Sequence, residues 1–404
     1  MRYEFPKLQN LDEVRDVIKD AKEFIVAERD WGFVVNYLVS GPDTFPNMHT
    51  AGGSPRMRAE AARAKAIRRE CRGLIFDKAG QLISRPYHKF FNVNERDETQ
   101  INRIDLGQPH VILEKLDGSM VRPVPVGDAY RLGTKMGVTD VSMQAEVWLA
   151  GHANYDQFIR SCISSGCTPI FEWCSRKQRI VVDYPVDRLV LTAVRNNLHG
   201  NYVGMHGLRG LAEAWDLDLV QEYPGTASGM EHLLAETQDL QGQEGWIIRF
   251  DDGHMLKLKG KEYVTIHKAK DQILRENGVI EMLLDEKLDD VKAFLPADDR
   301  HNLERFEGEF WRGVHNTEMS WQEAYRQVRG EFGHDRKQFA LTRAAELEQN
   351  MRGVIFRAWD NPDVDFRAAV IDAVRKNLGT QTKVNEARHL WGGAEWNYRD
   401  NGEA

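Results

Sequence analysis

Hydrophobic residues follow two patterns along the chain, and the change from one to the other lies near residue 268. Before that point, short apolar runs are bounded by Gly, Asp, Asn and Pro, as β-strands usually are. The runs are GLIFD, HVILEK, RIVVDY, RLVLTAV and GWIIRF, and 11 of the 13 prolines lie in the same part. This pattern predicts a mixed α and β region over residues 1–267.

Beyond residue 267 the apolar positions recur at the spacing of a helix face. One such stripe consists of Leu303, Phe306, Phe310 and Val314. A later helix is expected to begin at Asn361 as its cap, with Pro362 in the first turn, and to end near Gly379. The sequence therefore predicts an all-α region over residues 268–404 and a domain boundary near residue 268.

The chain has 404 residues and a net charge of −8. This length exceeds a usual single domain and allows a sizeable core. The negative balance excludes a protein whose whole surface binds nucleic acid, because such surfaces are strongly basic. It leaves room for a local basic groove, for which the basic run from Arg56 to Arg72 is a candidate. A solvated helix face also explains that run.

The lack of targeting signals in the sequence and the spacing of its cysteines narrow the class of protein further. No apolar stretch approaches the roughly 20 residues that cross a bilayer, and the first residues lack a basic flank followed by an apolar segment. We therefore expect a cytoplasmic protein that does not bind membranes. The four cysteines show neither a CxxC pair nor a histidine at zinc-finger spacing, so we expect reduced thiols.

A candidate nucleophile lies in the segment EKLDGSM, residues 114–120, directly after an apolar run. Lys115 at the end of a strand, followed by a turn through Asp117 and Gly118, would project its amine into a cleft. The pKa of a free lysine amine is about 10.4, so a nucleophilic lysine needs cationic neighbours or desolvation to lose its proton. An exposed turn is the other interpretation of this string.

A predicted hairpin supplies such neighbours. EGWIIRF, residues 244–250, is followed by a turn and by HMLKLKGKEY, residues 254–263. Lys257 and Lys259 are two apart and so share one face of the second strand, where two ammonium groups suit a polyphosphate anion. Glu244 could serve a divalent metal. An exposed strand with outward lysines, or a structural ion pair at Glu244, fits the same residues.

Three further segments combine charged and strand-forming residues: RECRGLIFD at 69–77, RPYHKFFNVNE at 85–95 and FEWCSRKQRIVV at 171–182. Together with KLDGS, EGWIIR and KLK, they resemble the ordered motif set of covalent nucleotidyltransferases, and within that group the phage T4-type RNA ligase family. The resemblance implies an α+β fold. A nucleotidyltransferase (adenylation) domain with antiparallel sheets would span residues 1–267, and an all-α C-terminal domain would span residues 268–404.

The same resemblance implies an ATP-dependent RNA ligase, which joins 5′-phosphate and 3′-hydroxyl RNA ends through lysyl-AMP and RNA-adenylate intermediates. ATP would donate AMP, and the metal would be Mg²⁺, with Mn²⁺ as an alternative. The RNA partner would be single-stranded or a nicked tRNA-like molecule, as in tRNA repair. The chain would be a monomer of bacteriophage origin that acts in the host cytoplasm.

Residue roles are carried over where the motifs match. Lys115 would carry AMP, Lys257 and Lys259 would bind the phosphates, and Glu244 would serve the metal. Arg72 would contact either the nucleotide or the RNA phosphate. The other implied nucleotide contacts are Lys135 for phosphate, Lys89 for the triphosphate approach, Phe91 for the pocket wall, Glu172 for the ribose and Ile247 for the adenine.

Three further positions match the family less clearly. Tyr263 corresponds to a tyrosine near the end of the last motif, with no firm role. Asp289 and Asp290 correspond to an acidic pair of the helical domain. The pair could bind a second metal ion, or it could be an exposed helix terminus.

Related enzymes define the alternatives. DNA ligases and mRNA-capping guanylyltransferases usually have an arginine two residues after the motif glycine, where this chain has Met120. They also tend to carry an all-β OB-fold, whereas the sequence after residue 267 has the period of helices. A catalytically inactive nucleotide- or RNA-binding protein of the same fold is the alternative outside enzymes.

Overall fold

The computed structural model describes residues 4–48, 53–224 and 228–398. The chain divides into two compact units, unit 1 (Met1–Val264) and unit 2 (Thr265–Ala404). The division thus falls after residue 264, where the sequence placed it after residue 267. None of the described helices combines the length and the apolar character that crossing a bilayer requires.

Unit 1 holds three four-stranded sheets among its described residues, with strand orders β1-β2-β3-β4, β10-β9-β7-β8 and β5-β12-β11-β6. The pairs within them are antiparallel, as expected, except that the two-residue strand β5 runs parallel to β12. The strands are β1 (Phe24–Arg29), β2 (Gly32–Tyr37), β3 (Arg72–Phe76), β4 (Leu82–Ser84), β5 (Phe91–Asn92), β6 (His110–Lys115), β7 (Ser119–Val126), β8 (Ala129–Gly133), β9 (Cys167–Cys174), β10 (Arg188–Asn196), β11 (Gly245–Phe250) and β12 (Met255–Lys259).

Helices cover the sheets of unit 1, and one helix continues into unit 2. The described helices of unit 1 are α1 (Leu11–Ile18), α2 (Pro55–Glu70), α3 (Asp140–Leu149), α4 (Ala153–Ser164), α5 (Met205–Trp215) and α6 (Met230–Gln238), with short 3₁₀ turns at Asp97–Thr99 and Ile101–Arg103. Helix α7 (Lys261–Ile273) crosses the division between the units. All four cysteines are free, and three of them are buried, in agreement with the expected reduced thiols.

Unit 2 is helical throughout its described residues, which confirms the predicted all-α character of this part. The stripe Leu303, Phe306, Phe310 and Val314 lies on the 36-residue helix α10 and is buried in the core. The helices are α8 (Glu276–Leu284), α9 (Leu288–Lys292), α10 (Ala297–Phe332), α11 (Arg336–Thr342), α12 (Gln349–Asp360), α13 (Phe366–Arg375) and α14 (Gln381–Ala387), with 3₁₀ turns at Ala344–Glu346 and Arg388–Trp391.

Two local predictions are wrong. The run RIVVDY, residues 179–184, is a loop, because the backbone amides of Val181 and Val182 bond to a side chain of another segment instead of a neighbouring strand. Helix α13 begins at Phe366, and Asp365 is its cap. Asn361 caps no helix there, since its side chain accepts a hydrogen bond from the amide of Asp363 in a local turn.

The third sheet sets the positions of several predicted site residues. Lys115 on β6 and Lys259 on β12 both lie opposite Gly245, the first residue of the central strand β11. Gly245 has a φ of 147°, and a Cβ there would lie 2.0 Å from the carbonyl oxygen of Leu258. Only glycine therefore allows three strands to meet at this row.

Replacing Gly245 with alanine should destabilise unit 1 strongly, because the methyl group would displace the β12 backbone. Gly242→Ala is the matched control, since Gly242 also has a positive φ, 67°, but a Cβ there meets open space. We expect the control to cost about 1–2 kcal/mol for its backbone conformation and Gly245→Ala about 3 kcal/mol or more. Thermal unfolding followed by circular dichroism would measure both. Equal losses of stability would refute the steric argument.

Candidate active site

Lys115 and Lys259 share one buried carboxylate. The Lys115 ammonium lies 2.5 Å from Oε2 of Glu244, and the Lys259 ammonium lies 3.1 Å from Oε1 of the same residue. The Glu244 side chain is only 4% exposed, whereas the lysines are 18% and 31% exposed. Glu244 directly precedes Gly245, which lies opposite both lysines in the sheet, so the register of the strands brings the three charges together.

The turn after Lys115 is buried and held from several sides. The carboxylate of Asp117 accepts hydrogen bonds from the amides of Val181 and Val182, both at 2.7 Å. It also accepts one from the hydroxyl of Tyr263 at 2.7 Å, and Asp117 is 3% exposed. This arrangement rules out the exposed-turn interpretation and fixes the backbone that follows Lys115.

Tyr263 connects the two carboxylates of this region. Besides donating to Asp117, its hydroxyl lies within hydrogen-bonding reach of Glu244. Burial and the two carboxylates raise the pKa of Tyr263, so the phenol keeps its proton and acts as a donor. Tyr263 lies on α7, because the predicted second strand of the hairpin ends at Lys259 and a helix begins at Lys261.

A cavity of about 220 Å³ opens beside Lys115. Five predicted nucleotide contacts line it together: Arg72, Lys115, Glu172, Ile247 and Lys257. Phe90 supplies the aromatic wall, and the Lys257 ammonium lies 4.7 Å from the centre of its ring. The predicted wall residue Phe91 is 2% exposed and packs in the core, because successive residues of an extended chain point to opposite sides.

Lys89 and Lys135 are not among the residues that line the cavity, but they lie near Tyr37 together with Arg72, which does line it. The ammonium groups of Lys89 and Lys135 lie 5.1 Å and 4.7 Å from the ring centre of Tyr37. Burial tends to raise the pKa of Tyr37, but Lys89 and Arg72 outweigh it, so the pKa is lowered. Burial also lowers the pKa of Lys257 well below its usual value, and the neighbouring Arg72 adds to this effect. Such a cluster suits a polyphosphate anion.

Glu172, for which the family resemblance implies a ribose contact, has an unusually weak carboxylic acid. Glu172 lies on β9 opposite Met120 of β7 and faces the cavity. Burial raises its pKa to about 7, although the Lys115 ammonium opposes this effect. The group is therefore half protonated near neutral pH, and it can both donate and accept hydrogen bonds there.

Besides Phe90, the polar residues Tyr87, Thr192 and Arg249 line the cavity and were not predicted from the sequence. Arg249 is 6% exposed, and its Nη1 has no hydrogen-bond partner among the described residues. A buried guanidinium nitrogen of this kind is free to donate to a ligand in the cavity. The charged residue inside the apolar run GWIIRF was the signal that could have identified it.

The acidic pair of the helical part lies on the short helix α9. Asp289 is 89% exposed and forms an ion pair with Lys292 at 3.0 Å. Among the described residues, no group of three or more His, Cys, Asp or Glu side chains could hold a metal ion. The second ion site at Asp289 and Asp290 stays a prediction, and the ion pair favours the alternative of an exposed helix terminus.

Comparison with known proteins agrees with this geometry. Residues 70–270 match the sequence profile of a family described as RNA ligase, and this segment contains Arg72, Lys115, Glu172, Glu244 and Lys257. Over these residues, the chain belongs to the RNA ligase family. The match covers the cavity and both lysine motifs, and it confirms the resemblance that the sequence motifs indicated.

Two curated RNA ligases are similar to the chain. A Thermovibrio ammonificans protein named "Putative RNA ligase" is 30% identical over 236 residues, which are 56% of this chain and 61% of that protein. RNA ligase 1 of Bacteriophage TS2126 is 25% identical over 238 residues, which are 56% of this chain and 58% of that protein. The chain thus spans about three fifths of the length of each relative.

Solved structures of ligases resemble the chain more distantly. An archaeal ATP-dependent RNA ligase has a TM-score of 0.43 at 12% identity and covers 70% of this chain and 69% of its own. A Naegleria gruberi RNA ligase solved with ATP and Mn has a TM-score of 0.36 at 15% identity, covering 45% of this chain and 57% of its own.

Glu172→Gln should change how stability depends on pH. Between the unfolded pKa of about 4.3 and the folded pKa of about 7, the folded protein binds more protons at Glu172 than the unfolded chain, so rising pH lowers the free energy of unfolding. The variant lacks this loss. Its melting temperature should exceed that of the unmodified protein increasingly as pH rises from about 5 to about 8.

The control for this series is Glu60→Gln, which replaces a carboxylate that is 65% exposed. A plot of its melting temperature against pH should stay parallel to that of the unmodified protein over the same range. If the plot for Glu172→Gln is parallel too, the pKa of the Glu172 carboxyl group is not raised.

Proposed function

We propose that the chain is an ATP-dependent RNA ligase in which Lys115 receives AMP from ATP and transfers it to the 5′-phosphate of RNA. The observation that carries this proposal is the pairing of both Lys115 and Lys259 with Glu244, beside a cavity lined by Glu172 and Lys257. Family membership supports it, because the matched residues 70–270 contain this whole set.

The first step is the attack of the Lys115 amine on the α-phosphorus of ATP. The amine must first lose a proton, and Oε2 of Glu244, at 2.5 Å, is the acceptor within reach. A bond forms between Nζ and the α-phosphorus, and the bond from that phosphorus to the bridging oxygen breaks. Pyrophosphate leaves, and the cations Arg72, Lys89 and Lys135 near Tyr37 stabilise its charge.

The adenosine of the same nucleotide fits the cavity. Ile247 and Phe90 supply apolar walls for the base, and Glu172 can bond to the ribose hydroxyls. The unpaired Nη1 of Arg249 can donate to a ring nitrogen of the base. A volume of about 220 Å³ lies somewhat below that of typical ligand sites of about 300–1,000 Å³, which suits a base and sugar with the phosphates outside.

A divalent metal fits the donor set around Glu244. Mg²⁺ on nucleotides takes one or two carboxylates from the protein and fills its remaining positions with phosphate oxygens and water. Glu244 offers one such carboxylate, next to the lysine that would attack the phosphate. When bound, Mg²⁺ or Mn²⁺ would add positive charge next to the reacting phosphates.

Two transfers complete the reaction. The 5′-phosphate of RNA attacks the phosphorus of lysyl-AMP, which releases the Lys115 amine and forms an RNA adenylate with a 5′–5′ pyrophosphate bond. The 3′-hydroxyl of a second RNA end then attacks the RNA phosphorus of that bond, and AMP leaves. The positively charged groups at the cavity, including Lys257 and Lys259, offset the charge of each phosphate.

The other assignments are weaker. Met120 at the position of the usual arginine, and helices in place of an OB-fold, disfavour a capping enzyme or a DNA ligase. The intact set of charged residues disfavours an inactive homologue. A nicked tRNA-like substrate, Mg²⁺ as the metal, a bacteriophage origin, a cytoplasmic location and a monomeric state remain predictions from the family resemblance.

Replacing Lys115 with alanine should separate the steps. Lys115→Ala should not retain label from ATP labelled at the α-phosphate and should not join RNA with a plain 5′-phosphate. It should still seal RNA supplied with a preformed 5′-adenylate, though more slowly, because the amine is not bonded to either reactant in the last step. Gel assays on both substrates with the same 3′-hydroxyl acceptor measure this difference.

Glu244→Ala is the informative comparison on the same substrates. A carboxylate that serves the metal and accepts the lysine proton is needed in each phosphoryl transfer, so this variant should fail on both RNAs. Normal joining of the phosphorylated RNA by Lys115→Ala would end the covalent mechanism.

The two lysines of β12 should differ in their effect on stability. Lys257→Met should keep or raise the melting temperature, because it removes an ammonium whose protonation burial disfavours. Lys259→Met should lower it, because Glu244, buried, loses one of its two cations. Both should slow lysyl-AMP formation by about 10²-fold or more. Parallel thermal melts and labelling rates test this, and labelling at the original rate would exclude a phosphate contact.

A further inference from the structure

Helix α2 carries more positive charge than any role in the core requires. Its 16 residues include six basic and two acidic side chains, a net charge of +4 in a chain of net charge −8. Its buried residues are Ala66, Ile67, Arg69 and Glu70, all in the last turns. Residues 55–60 are exposed on every side. Core packing therefore does not explain why the first half of this helix exists.

The first turn of α2 also places its charges unfavourably. A helix begins with a partial positive charge, which acidic residues usually offset. The first turn of α2 has no acidic residue and holds Arg56 and Arg58 instead. Ser54 and Pro55 nevertheless define the start, since the Ser54 side chain accepts a hydrogen bond from the Met57 amide at 3.3 Å. Like charges gathered at a well-formed helix start suit an external anion.

Internal partners only partly neutralise this surface. Arg63 pairs with Glu13 at 2.7 Å. Arg56 pairs with Glu60 at 2.9 Å, but both of these side chains are largely exposed, and such pairs are weak. Arg58 and Arg68 donate to the backbone carbonyls of Gly53 and Asp43. Within the described ranges, no carboxylate lies within ion-pairing distance of either guanidinium. Two guanidinium charges therefore remain for a ligand to neutralise.

The helix leads directly to the reaction cavity. It ends at Glu70, and after Cys71 the strand β3 begins with Arg72, which lines the cavity. Near its end, Arg69 is held by Glu98 at 2.5 Å, so this end of the helix is fixed. A chain of phosphates that followed the exposed arginines would run toward the site where an RNA end reacts.

We infer that the exposed start of α2, residues 55–60, which carries Arg56 and Arg58 on opposite sides of the helix, binds the phosphodiester backbone of the RNA strand whose end enters the cavity. This inference rests on the proposed ligase function and adds where the RNA lies. Residues two apart on a helix point to nearly opposite sides, so a strand with regularly spaced phosphates can reach both arginines where a single small anion cannot. The contact is with phosphate, so it tolerates any RNA sequence.

The test is the double variant Arg56→Ala/Arg58→Ala in the full chain. Each lost phosphate contact should make the slope of log affinity against log salt shallower by about 0.7, so two lost contacts should change it by about 1.4. Relative to about 1 M salt, this change reduces the affinity by about 25-fold at about 0.1 M salt. Fluorescence anisotropy with a short, unstructured, 5′-phosphorylated RNA measures both quantities. The melting temperature should stay the same or rise, since two unfavourable charges leave the helix start.

The matched control is Arg160→Ala/Arg209→Ala, which removes the same charge from helices α4 and α5, where each arginine pairs with a carboxylate. Its RNA affinity should change little. Labelling by ATP should be normal in both variants. If ATP does not label the unmodified protein, the proposed function is wrong. If labelling is normal but the Arg56→Ala/Arg58→Ala variant binds RNA as tightly as the control variant, only the assignment of α2 is wrong. Equal displacement of the RNA by polyglutamate would also overturn it, in favour of an acidic protein partner.

Discussion

The candidate active site depends on one buried carboxylate between two ammonium groups. Lys115 and Lys259 reach Glu244 from the strands on either side of β11. Without that carboxylate, two positive charges would meet at the same end of the sheet with nothing to separate them. A buried charge is tolerated only when it is paired, so the two lysines offset the charge of the Glu244 carboxylate, and Glu244 holds the lysines close together. Gly245, the next residue, makes this arrangement sterically possible, because a side chain there would clash with the backbone of β12.

Regular elements with a local cause were predictable from the sequence. The strands β6 and β11 have continuous apolar runs with clear boundaries, and α10 has an uninterrupted stripe that lies in the core. The failures have distant causes. RIVVDY has the composition of a strand, but the carboxylate of Asp117, more than 60 positions earlier in the chain, captures two of its amides. No pattern within that run reveals this competitor.

The candidate site shows the same contrast between local and distant causes. The order of the motifs pointed to the charged residues Lys115, Glu172 and Lys257, which line one cavity. Which of two adjacent aromatic residues faces that cavity was not, because Phe90 and Phe91 differ only in the direction of their side chains, and the register of a two-residue strand decides it. Tyr263 shows its connection only in three dimensions, where it bonds to a residue 146 positions away.

The pairing of Glu244 with two lysines also has a consequence for salt. When the lysines turn from Glu244 to the phosphates of a nucleotide, they exchange one anion for another, and few counterions from solution take part. The contribution of these two lysines to nucleotide affinity should therefore depend little on ionic strength, unlike contacts made by solvated arginines at a surface. Under the proposed function, Lys115 would therefore stay adenylylated at salt concentrations at which RNA already dissociates.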